Sequence, residues 1–414
     1  MKIVLINTKF SSSLEDGVAA ECLEYGLRTR LPGVSIVNCD LDGRREYGRY
    51  SGLLAKLTNT LLPMTQDAVK TPAYLRLYEA MVRAKLLPHY DKTINGADVA
   101  LFGAGCLFSD VNLRLPMKIA AAASVIRDRN LPIAIHAVGV SDDWSASGAA
   151  LFKEAFLGAD IVWASVADEP SGKRWRRQFG ATNRPTPFVS ADPAILAAKT
   201  YASSDHDSAP RRNRPLIGVN ITHPSTLVTQ SDVAGAEQIA PNVDFYRRCI
   251  EALAAKECDV LLFSNGAPED ETYLRRCFTP GFLRKFPEGQ VALAPPSNTP
   301  EDLVKTIRNC DVLASHRLNA CVVAYSCQIP HVGLSLNTSL DAFFETVGRK
   351  DFVLGPGNVR PDDVANATLR AAETPIDKLV YAAITKQAGQ ELDDLASKFA
   401  PFDKNEFQKT ATVR

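Results

Sequence analysis

The sequence of 414 residues lacks an excess of charge of either sign, because 47 basic side chains balance 47 acidic ones. A protein that binds nucleic acid broadly needs a basic surface, so we expect no nucleic-acid partner. The chain also lacks any apolar run near the roughly 18 residues that cross a bilayer. Its opening segment, MKIVLINTKF, has too few apolar residues for a secretory signal. We therefore predict a cytoplasmic protein with no membrane span, for which a peripheral membrane contact stays open.

Metal-ligand clusters and cysteine pairs are missing as well. The nine cysteines are scattered without a Cys-x-x-Cys pair, and the six histidines do not stand at ligand spacing from cysteines or carboxylates. We predict no metal site, and we interpret Cys106, Cys258 and Cys321 as small buried apolar residues in a reducing compartment. The glycines at 103–105 lack the third glycine of a dinucleotide fingerprint, so we expect no nicotinamide and no other cofactor.

What the sequence does contain is an alternation of short apolar strands with helical repeats along most of its length. Such alternation predicts an α/β fold with doubly wound parallel sheets. The pattern breaks once, in the polar stretch 198–214, so we predict two Rossmann-like domains facing a cleft. The first domain is predicted at 1–200, with an insertion at about 43–90, and the second at 214–375. Residues 376–414 are predicted to form a C-terminal helix that packs back on the N-terminal domain.

Three stretches that follow predicted strands are candidates for ligand contact, because ligands bind at strand ends in sheets of this kind. In 103–110, glycines allow an anion or a substrate close to the backbone, although a tight loop explains them equally well. Asp168 and Glu169 open a helix, and the simpler interpretation is charge at the helix N-terminus. For Asp192-Pro193 the simpler interpretation is a structural turn.

The fourth stretch, 315–319, reads Ser-His-Arg-Leu-Asn at the point where a strand ends and a helix begins. The N–H groups of the helix start form an anion site, and Arg317 adds a two-pronged donor for phosphate or carboxylate. His316 is the histidine placed to titrate beside that donor. On spacing alone, the alternative that His316 and Arg317 only brace the turn is equally open.

The order and contexts of these stretches resemble those of the polysaccharide pyruvyl transferase family, from the N-terminus to about residue 350. The matching positions are Asn7 with Glu15-Asp16, Gly103-Ala104-Gly105, Val138-Gly139-Val140, Asp168-Glu169-Pro170-Ser171, Asp192-Pro193-Ala194 and Ser315-His316-Arg317-Leu318-Asn319. The resemblance implies a GT-B-like fold, phosphoenolpyruvate as the donor, and a sugar or lipid-linked oligosaccharide of a cell-surface glycan as the acceptor. The sequence departs from the family pattern in having Ala167 for the motif arginine, Asn319 for the motif histidine, and no lysine in 337–340.

Pyruvyl ketal formation needs cations for the phosphate and carboxylate, a general acid and a general base. Asn319 can hydrogen-bond but cannot deliver a proton at neutral pH. We therefore predict His316 as the replacement acid, with Asp168 and Asp16 as further catalytic residues. Donor binding is predicted at Ser315, Arg317, Leu318 and Asn319. Acceptor binding is predicted at Asn7, Gly103, Gly105 and Asp110.

Two other functions stay open beside pyruvyl transfer. A glycosyltransferase on the same scaffold would hold the diphosphate of a nucleotide sugar at Asn319 and the helix N-terminus, with Asp16, Asp110 or Asp168 as the base. A non-catalytic homologue would bind a glycan or a partner without chemistry. We place pyruvyl transfer first because the family resemblance is strong and Arg317 is present.

Overall fold

The chain forms two compact units, each built around one parallel sheet. The computed structural model describes residues 1–48, 72–110, 113–142, 144–180, 186–202, 213–356 and 359–402. The first unit comprises Met1–Ser11, Ala19–Pro193 and Ala388–Arg414, and the second comprises Ser12–Val18 and Ala194–Gln387. Both sheets have six strands, and every neighbouring pair of strands is parallel. This confirms the predicted α/β class.

The first sheet has the strand order β2-β1-β3-β4-β5-β6. Its strands are β1 (Lys2–Asn7), β2 (Ser35–Asp40), β3 (Val99–Gly103), β4 (Ile133–Val138), β5 (Ile161–Val166) and β6 (Phe188–Val189). The helices before residue 201 are α1 (Leu14–Arg28), α2 (Pro72–Met81), α3 (Leu87–Ile94), α4 (Arg114–Asp128), α5 (Ala146–Ala155), α6 (Glu169–Phe179) and α7 (Ala197–Thr200), with a π-helical turn at Val82–Leu86 and a 3₁₀ turn at Pro193–Leu196. Strands β3 and β4 are buried along their whole length, as apolar central strands of parallel sheets are.

Aromatic side chains fill much of the first core. Phe108 contacts the rings of Phe152, Phe156 and Trp175 at centroid distances of 5.1–5.7 Å. The predicted insertion at about 43–90 contributes to the same core through α2, the π-helical turn and α3, whose buried side chains are Tyr78, Val82, Leu86, Tyr90 and Ile94. Residues 49–71 of that insertion lie outside the described residues.

The second sheet has the strand order β12-β11-β10-β7-β8-β9. Its strands are β7 (Leu216–Asn220), β8 (Asp259–Phe263), β9 (Val291–Leu293), β10 (Val312–Ser315), β11 (His331–Leu334) and β12 (Val353–Leu354). The later helices are α8 (Pro224–Gln230), α9 (Ala236–Ile239), α10 (Val243–Ala255), α11 (Pro268–Cys277), α12 (Pro280–Leu283), α13 (Pro300–Arg308), α14 (Leu318–Ser326), α15 (Thr338–Thr346), α16 (Pro361–Ala372) and α17 (Lys378–Phe399), with 3₁₀ turns at Lys350–Phe352 and Ala400–Phe402. Helices α10 and α16 pack together in the apolar core beside this sheet.

One prediction about burial was wrong. Cys258 and Cys321 are buried, as predicted, but Cys106 is exposed. Cys106 follows the left-handed residues Ala104 and Gly105, so it lies in the loop beyond β3 rather than in the strand.

The predicted domain boundary at 198–214 lies partly outside the described residues, and it stays a prediction. The last part of α17 groups with the first unit, where Glu391 accepts hydrogen bonds from the Ser190 hydroxyl at 2.7 Å and from the Ala191 N–H at 2.9 Å. Across the described ranges, no helix is both long and apolar enough to cross a membrane. Nor does this part of the chain bring three or more His, Cys, Asp or Glu side chains together as metal ligands.

Candidate functional site

The best candidate site lies at the carboxyl edge of the second sheet, where β10 ends and α14 begins. The hydroxyl of Ser315 accepts the Arg317 N–H at 2.9 Å and closes a tight turn. The turn sends the two residues after Ser315 in different directions, because the His316 ring contacts the Leu334 carbonyl whereas Arg317 contacts Glu15. No side chain caps α14, so the first-turn N–H groups of Leu318 and Asn319 lack this usual partner within the described chain.

Arg317 is a buried cation that already has an anionic partner. Its Nε and Nη2 donate to Oε2 of Glu15 at 3.1 and 2.8 Å, and only 6% and 3% of the two side chains are exposed. Further hydrogen bonds reach the Ser13 hydroxyl at 3.0 Å and Oε1 of Gln230 at 2.7 Å. Burial works against the charged guanidinium, but the carboxylates of Glu15 and Asp270 outweigh it and raise the pKa of Arg317. An incoming anion would therefore compete with Glu15 for this cation.

Three buried polar atoms near this ion pair have no hydrogen-bond partner among the described residues. They are Oε1 of Glu15, Nδ2 of Asn265 and Oδ2 of Asp270. The Asn265 carbonyl accepts the Leu14 N–H at 3.0 Å, which brings it to the start of α1 beside Glu15. A buried polar atom without a partner costs about 1–3 kcal/mol, so such atoms are rare in native structures. Their grouping here is typical of a site that receives water or a polar ligand.

Asp270 is the group in this cluster suited to keeping a proton. It lies in the first turn of α11, is completely buried, and accepts the His223 N–H through Oδ1 at 2.7 Å. Burial raises the pKa of Asp270, while the His223 N–H and the charge of Arg317 act in the opposite direction. A protonated Asp270 would offer its second oxygen as a hydrogen donor.

A cavity of about 360 Å³ lies on the other side of the same turn. It is bounded by the carboxyl ends of β10, β11 and β12 and by the start of α10. Its walls include His316, Arg248, Asn242 and Ser335. The exposed Arg248 and the N-terminal end of α10 give this cavity a positive side.

His316 forms part of the cavity wall, but its imidazole nitrogens are buried. Its Nδ1 lies 2.7 Å from the Leu334 carbonyl, and a carbonyl only accepts, so Nδ1 carries the hydrogen. Nε2 then carries a lone pair, and it has no partner in the described part of the chain. Burial lowers the pKa of His316 to about 4, although the Leu334 carbonyl acts against the change. At neutral pH this environment favours an acceptor over a proton donor, and the acid role of His316 stays a prediction.

The predicted acceptor residues Asn7, Gly103 and Gly105 lie at the carboxyl edge of the first sheet. Asn7 is buried, donates to Oδ1 of Asn38 at 3.0 Å and accepts the N–H of Lys9 at 3.1 Å. A side chain at Gly103 would meet Leu23 at 2.8 Å, so glycine there allows close packing of α1. Gly105 has a positive φ of 87°, which its loop requires.

Two predicted acids of the first unit hold helix ends. Oδ2 of Asp110 accepts the N–H and the hydroxyl of Ser145, both at 2.7 Å, just before α5. Oδ1 of Asp110 accepts the Leu113 N–H at 3.1 Å. Asp168 caps α6 by accepting the Ser171 N–H at 2.6 Å, which matches the simpler interpretation of its position. The catalytic and acceptor-binding roles of these acids stay predictions.

The second unit brings together the other predicted residues. Asp16 is half-buried in the first turn of α1, and its charge adds to those that act on Arg317. Leu318 and Asn319 are the first two residues of α14 and directly follow Arg317. The sequence interpretation missed Asp270, Asn265 and Arg248. Asn265 lies two residues beyond the end of β8, so its place after a strand end was a signal that could have revealed it.

Comparisons with known proteins agree with this architecture. A family model described as polysaccharide pyruvyl transferase matches residues 16–338, which is most of the chain. A comparison with curated protein sequences gave no match.

Several solved structures share the fold at low sequence identity. UDP-GlcNAc 2-epimerase from Neisseria meningitidis, bound to UDP-GlcNAc, has a TM-score of 0.56 at 10% identity, covering 97% of this chain and 100% of that chain. The Methanocaldococcus jannaschii UDP-GlcNAc 2-epimerase, in complex with UDP-GlcNAc and UDP, has a TM-score of 0.52 at 10% identity, with coverage of 93% and 98%. The α,α-trehalose 6-phosphate synthase from Burkholderia multivorans has a TM-score of 0.52 at 13% identity, with coverage of 100% and 98%. These similarities show a fold of two Rossmann-like domains of the GT-B-like kind.

Proposed function

Because the chain belongs to the polysaccharide pyruvyl transferase family and is therefore a transferase, we propose that it moves the pyruvyl group of phosphoenolpyruvate onto two hydroxyls of a sugar. The acceptor is a cell-surface glycan or its lipid-linked precursor. The observation that carries this proposal is the buried polar cluster of Arg317, Glu15, Asp270 and Asn265 at the carboxyl edge of the second sheet.

The chemistry needs one proton donor, one phosphate site and two acceptor hydroxyls. A proton adds to the methylene carbon of the enol phosphate, and one sugar hydroxyl bonds to the central carbon while it loses its own proton. The bond from that carbon to the phosphate oxygen then breaks, and the second hydroxyl adds as its proton leaves. One hydroxyl proton restores the acid, and the other is released with phosphate.

We assign the proton donor to Asp270 and the donor-binding cation to Arg317. Burial keeps the Asp270 carboxyl protonated more readily than an ordinary aspartate, and Asp270 lies close enough to Arg317 for their charges to interact. Phosphoenolpyruvate carries both a carboxylate and a phosphate, so it can displace the single carboxylate of Glu15 from the Arg317 guanidinium. The uncapped N-terminus of α14 adds N–H donors to the same anion.

A direct assay tests this assignment. Purified protein is incubated with phosphoenolpyruvate and a panel of sugar acceptors, and both phosphate release and pyruvyl incorporation are measured. The proposal expects both signals together, and expects Asn319→His to retain or raise them. Phosphate release without sugar modification, or neither signal with any acceptor, would contradict pyruvyl transfer.

The cavity beside His316 favours a second candidate, which is glycosyl transfer from a nucleotide sugar. Ligand pockets range over about 300–1,000 Å³, and the cavity of about 360 Å³ exceeds what phosphoenolpyruvate alone would fill. Arg248, which is exposed at this cavity, suits the phosphates of a nucleotide sugar. Two structures with this fold are described with bound UDP-GlcNAc.

The two candidates give opposite results in one titration. Calorimetry with phosphoenolpyruvate, UDP and UDP-GlcNAc is run on the wild type and on Arg248→Gln. Glycosyl transfer would be favoured if the nucleotides bind, if Arg248→Gln weakens their binding, and if phosphoenolpyruvate does not bind. If no ligand of either class binds, the non-catalytic glycan-binding alternative is the one that survives.

A further inference from the structure

The amino edge of the second sheet contains another buried cation, Arg349, with a very different environment from Arg317. Only 4% of Arg349 is exposed, and its Nη1 donates to the Thr374 carbonyl at 3.0 Å. Neither Nε nor Nη2 has a hydrogen-bond partner among the residues that the structure describes. In the same ranges no carboxylate forms an ion pair with it. A buried cation in this state is costly unless something else neutralises it.

The two unpaired donors of Arg349 lie on one edge of its guanidinium. Nε–H and one Nη2–H point the same way from the planar group, and this edge binds carboxylate or phosphate through two parallel hydrogen bonds. The guanidinium carbon lies 4.3 Å from the centroid of the Phe352 ring, a cation–π contact that fixes the plane of the group. Arg349 is therefore held with its anion-binding edge unused.

Two more buried groups with unpaired polar atoms lie near Arg349. The hydroxyl of Tyr325 and Nε2 of His331 have no partner in the described chain, and both residues are fully buried. Their ring centroids are 6.1 Å apart. Phe344 connects them to Arg349, because its carbonyl accepts the Arg349 N–H at 2.8 Å and its ring lies 5.0 Å from the His331 ring. His331 Nδ1 lies 3.0 Å from the Ile329 carbonyl, so Nδ1 carries the hydrogen and Nε2 is an acceptor.

The charge state of this cluster follows from burial. Burial lowers the pKa of Arg349 to about 10, so the side chain is still a cation at neutral pH. Burial also lowers the pKa of His331 to about 3, so His331 is neutral. The charge of Arg349 lowers this pKa further, whereas the hydrogen bond to the Ile329 carbonyl raises it. The cluster therefore has one positive charge that nothing described beside it neutralises.

We propose that Arg349, Tyr325 and His331 form a second anion site, which binds a small, singly charged oxyanion that still carries a hydroxyl, such as dihydrogen phosphate or hydrogencarbonate. The anion accepts from Nε and Nη2 of Arg349 and from the Tyr325 hydroxyl, and its own hydroxyl donates to Nε2 of His331. Its negative charge neutralises Arg349. This site is distinct from the transfer site, because His331 begins β11 whereas the transfer site lies beyond Leu334, where β11 ends.

A crystallographic experiment locates the anion directly. Crystals of the full chain are soaked in sodium arsenate, an oxyanion with the same hydroxyl, and the anomalous signal of arsenic is mapped. A peak within hydrogen-bond distance of Arg349 Nε and Nη2 supports the site. Water density at that position, with arsenic elsewhere or absent, would overturn it.

Thermal unfolding identifies the anion and tests the residue. At constant ionic strength, melting temperatures are compared in phosphate, hydrogencarbonate and chloride. A bound anion raises the melting temperature by about 2–4 °C in whichever oxyanion fits, relative to chloride. Arg349→Lys, which keeps the charge but loses the two-pronged edge, abolishes that difference.

Arg370→Gln is the matched control, because the exposed Arg370 contacts the same Phe352 ring from 5.4 Å. It leaves the oxyanion effect intact. If Arg349→Lys and Arg370→Gln retain the same oxyanion effect, the anion binds elsewhere and the proposal is wrong. Should Arg349→Lys fail to fold, the arsenate map of the wild type decides the question alone.

Discussion

The carboxyl edges of the two sheets differ in how fully their polar groups are paired. At the first sheet, Asn7 and Asp110 each use both side-chain polar atoms for contacts within their own unit. At the second, Glu15, Asn265 and Asp270 each keep one buried polar atom that no described residue contacts. The first edge is thus stabilised by its hydrogen bonds, and the second retains unused bonding capacity at a cost in stability. Unused capacity of this kind is expected where a ligand binds.

The largest expected effect comes from Asp270, the proposed proton donor of the second edge. Asp270→Asn keeps the size of the side chain and the oxygen that accepts the His223 N–H, but it cannot deliver a proton. We expect the turnover number with phosphoenolpyruvate to fall about 10²–10⁴-fold. The neighbouring exposed residue provides the control as Glu269→Gln, which should keep wild-type turnover. Equal turnover of Asp270→Asn and wild type would remove Asp270 from the mechanism.

The Arg317–Glu15 ion pair should have the largest effect on stability. Arg317→Gln leaves the Glu15 carboxylate buried without its cation, which should cost about 3–5 kcal/mol of unfolding free energy. The double variant Glu15→Gln with Arg317→Gln removes both charges and should recover much of this loss. Chemical denaturation measures both. A double variant no more stable than Arg317→Gln would show that the unpaired charge of Glu15 does not cause the loss of stability.

The buried histidines make stability depend on pH in both units. The folded-state pKa of His316 is lowered to about 4 by burial, and the unfolded value is about 6.5. Unfolded chains therefore bind more protons between these values, so stability is complete above pH 6.5 and falls as pH falls. His316 alone accounts for a loss of about 2 kcal/mol by pH 5.

Matched variants separate the contributions of the two units. His316→Gln should lose less stability than wild type between pH 7 and pH 5, measured as unfolding free energy. In the first unit, burial also lowers the pKa of His136 to about 4. His136→Gln should therefore also lose less stability than wild type between pH 7 and pH 5. A His316→Gln protein with the pH dependence of wild type would mean that His316 is not buried as a neutral ring.

The smallest effect is expected at the first edge. Asp110→Ala removes the acceptor for the Ser145 and Leu113 N–H groups, which water can then reach, and should cost about 0.5–1.5 kcal/mol of unfolding free energy. Donor affinity should not change, because the donor site is assigned to the second unit. Calorimetry and denaturation of the same variant test both statements. A loss of donor affinity without a loss of stability would mean that the donor binds at the first edge and not at the second.

Local apolar patterns predicted much of the sheet framework. Strand β10 ends at Ser315 and helix α14 begins at Leu318, within the stretch 315–319 where the sequence indicated that a strand ends and a helix begins. Helix α1 begins at Leu14, although apolar residues at helical spacing are clear in the sequence only from Ala19 onward. The acids Glu15 and Asp16 occupy its first turn, where carboxylates stabilise the positive end of a helix.

The candidate site could be predicted only in part, because its main contacts join distant parts of the chain. The Ser315–Asn319 motif indicated a turn and an anion site, but Glu15 lies 302 positions from Arg317 and no periodicity relates them. The short helices α8 and α9 carry too few residues for a periodic signal, and residues that follow α9 form one wall of the cavity at His316. Burial sets the protonation of Asp270 and His316, and burial is a property of the fold.

Hydrogen–deuterium exchange shows whether the donor binds at the carboxyl edge of the second sheet, as we propose. Amide exchange is followed by mass spectrometry with and without saturating phosphoenolpyruvate, and in a parallel arm with UDP-GlcNAc. We expect slower exchange with one donor in the peptide that covers Arg317 to Ala320, and no change in the peptide that covers Gly103 to Asp110. Protection of the first-sheet peptide alone would contradict it.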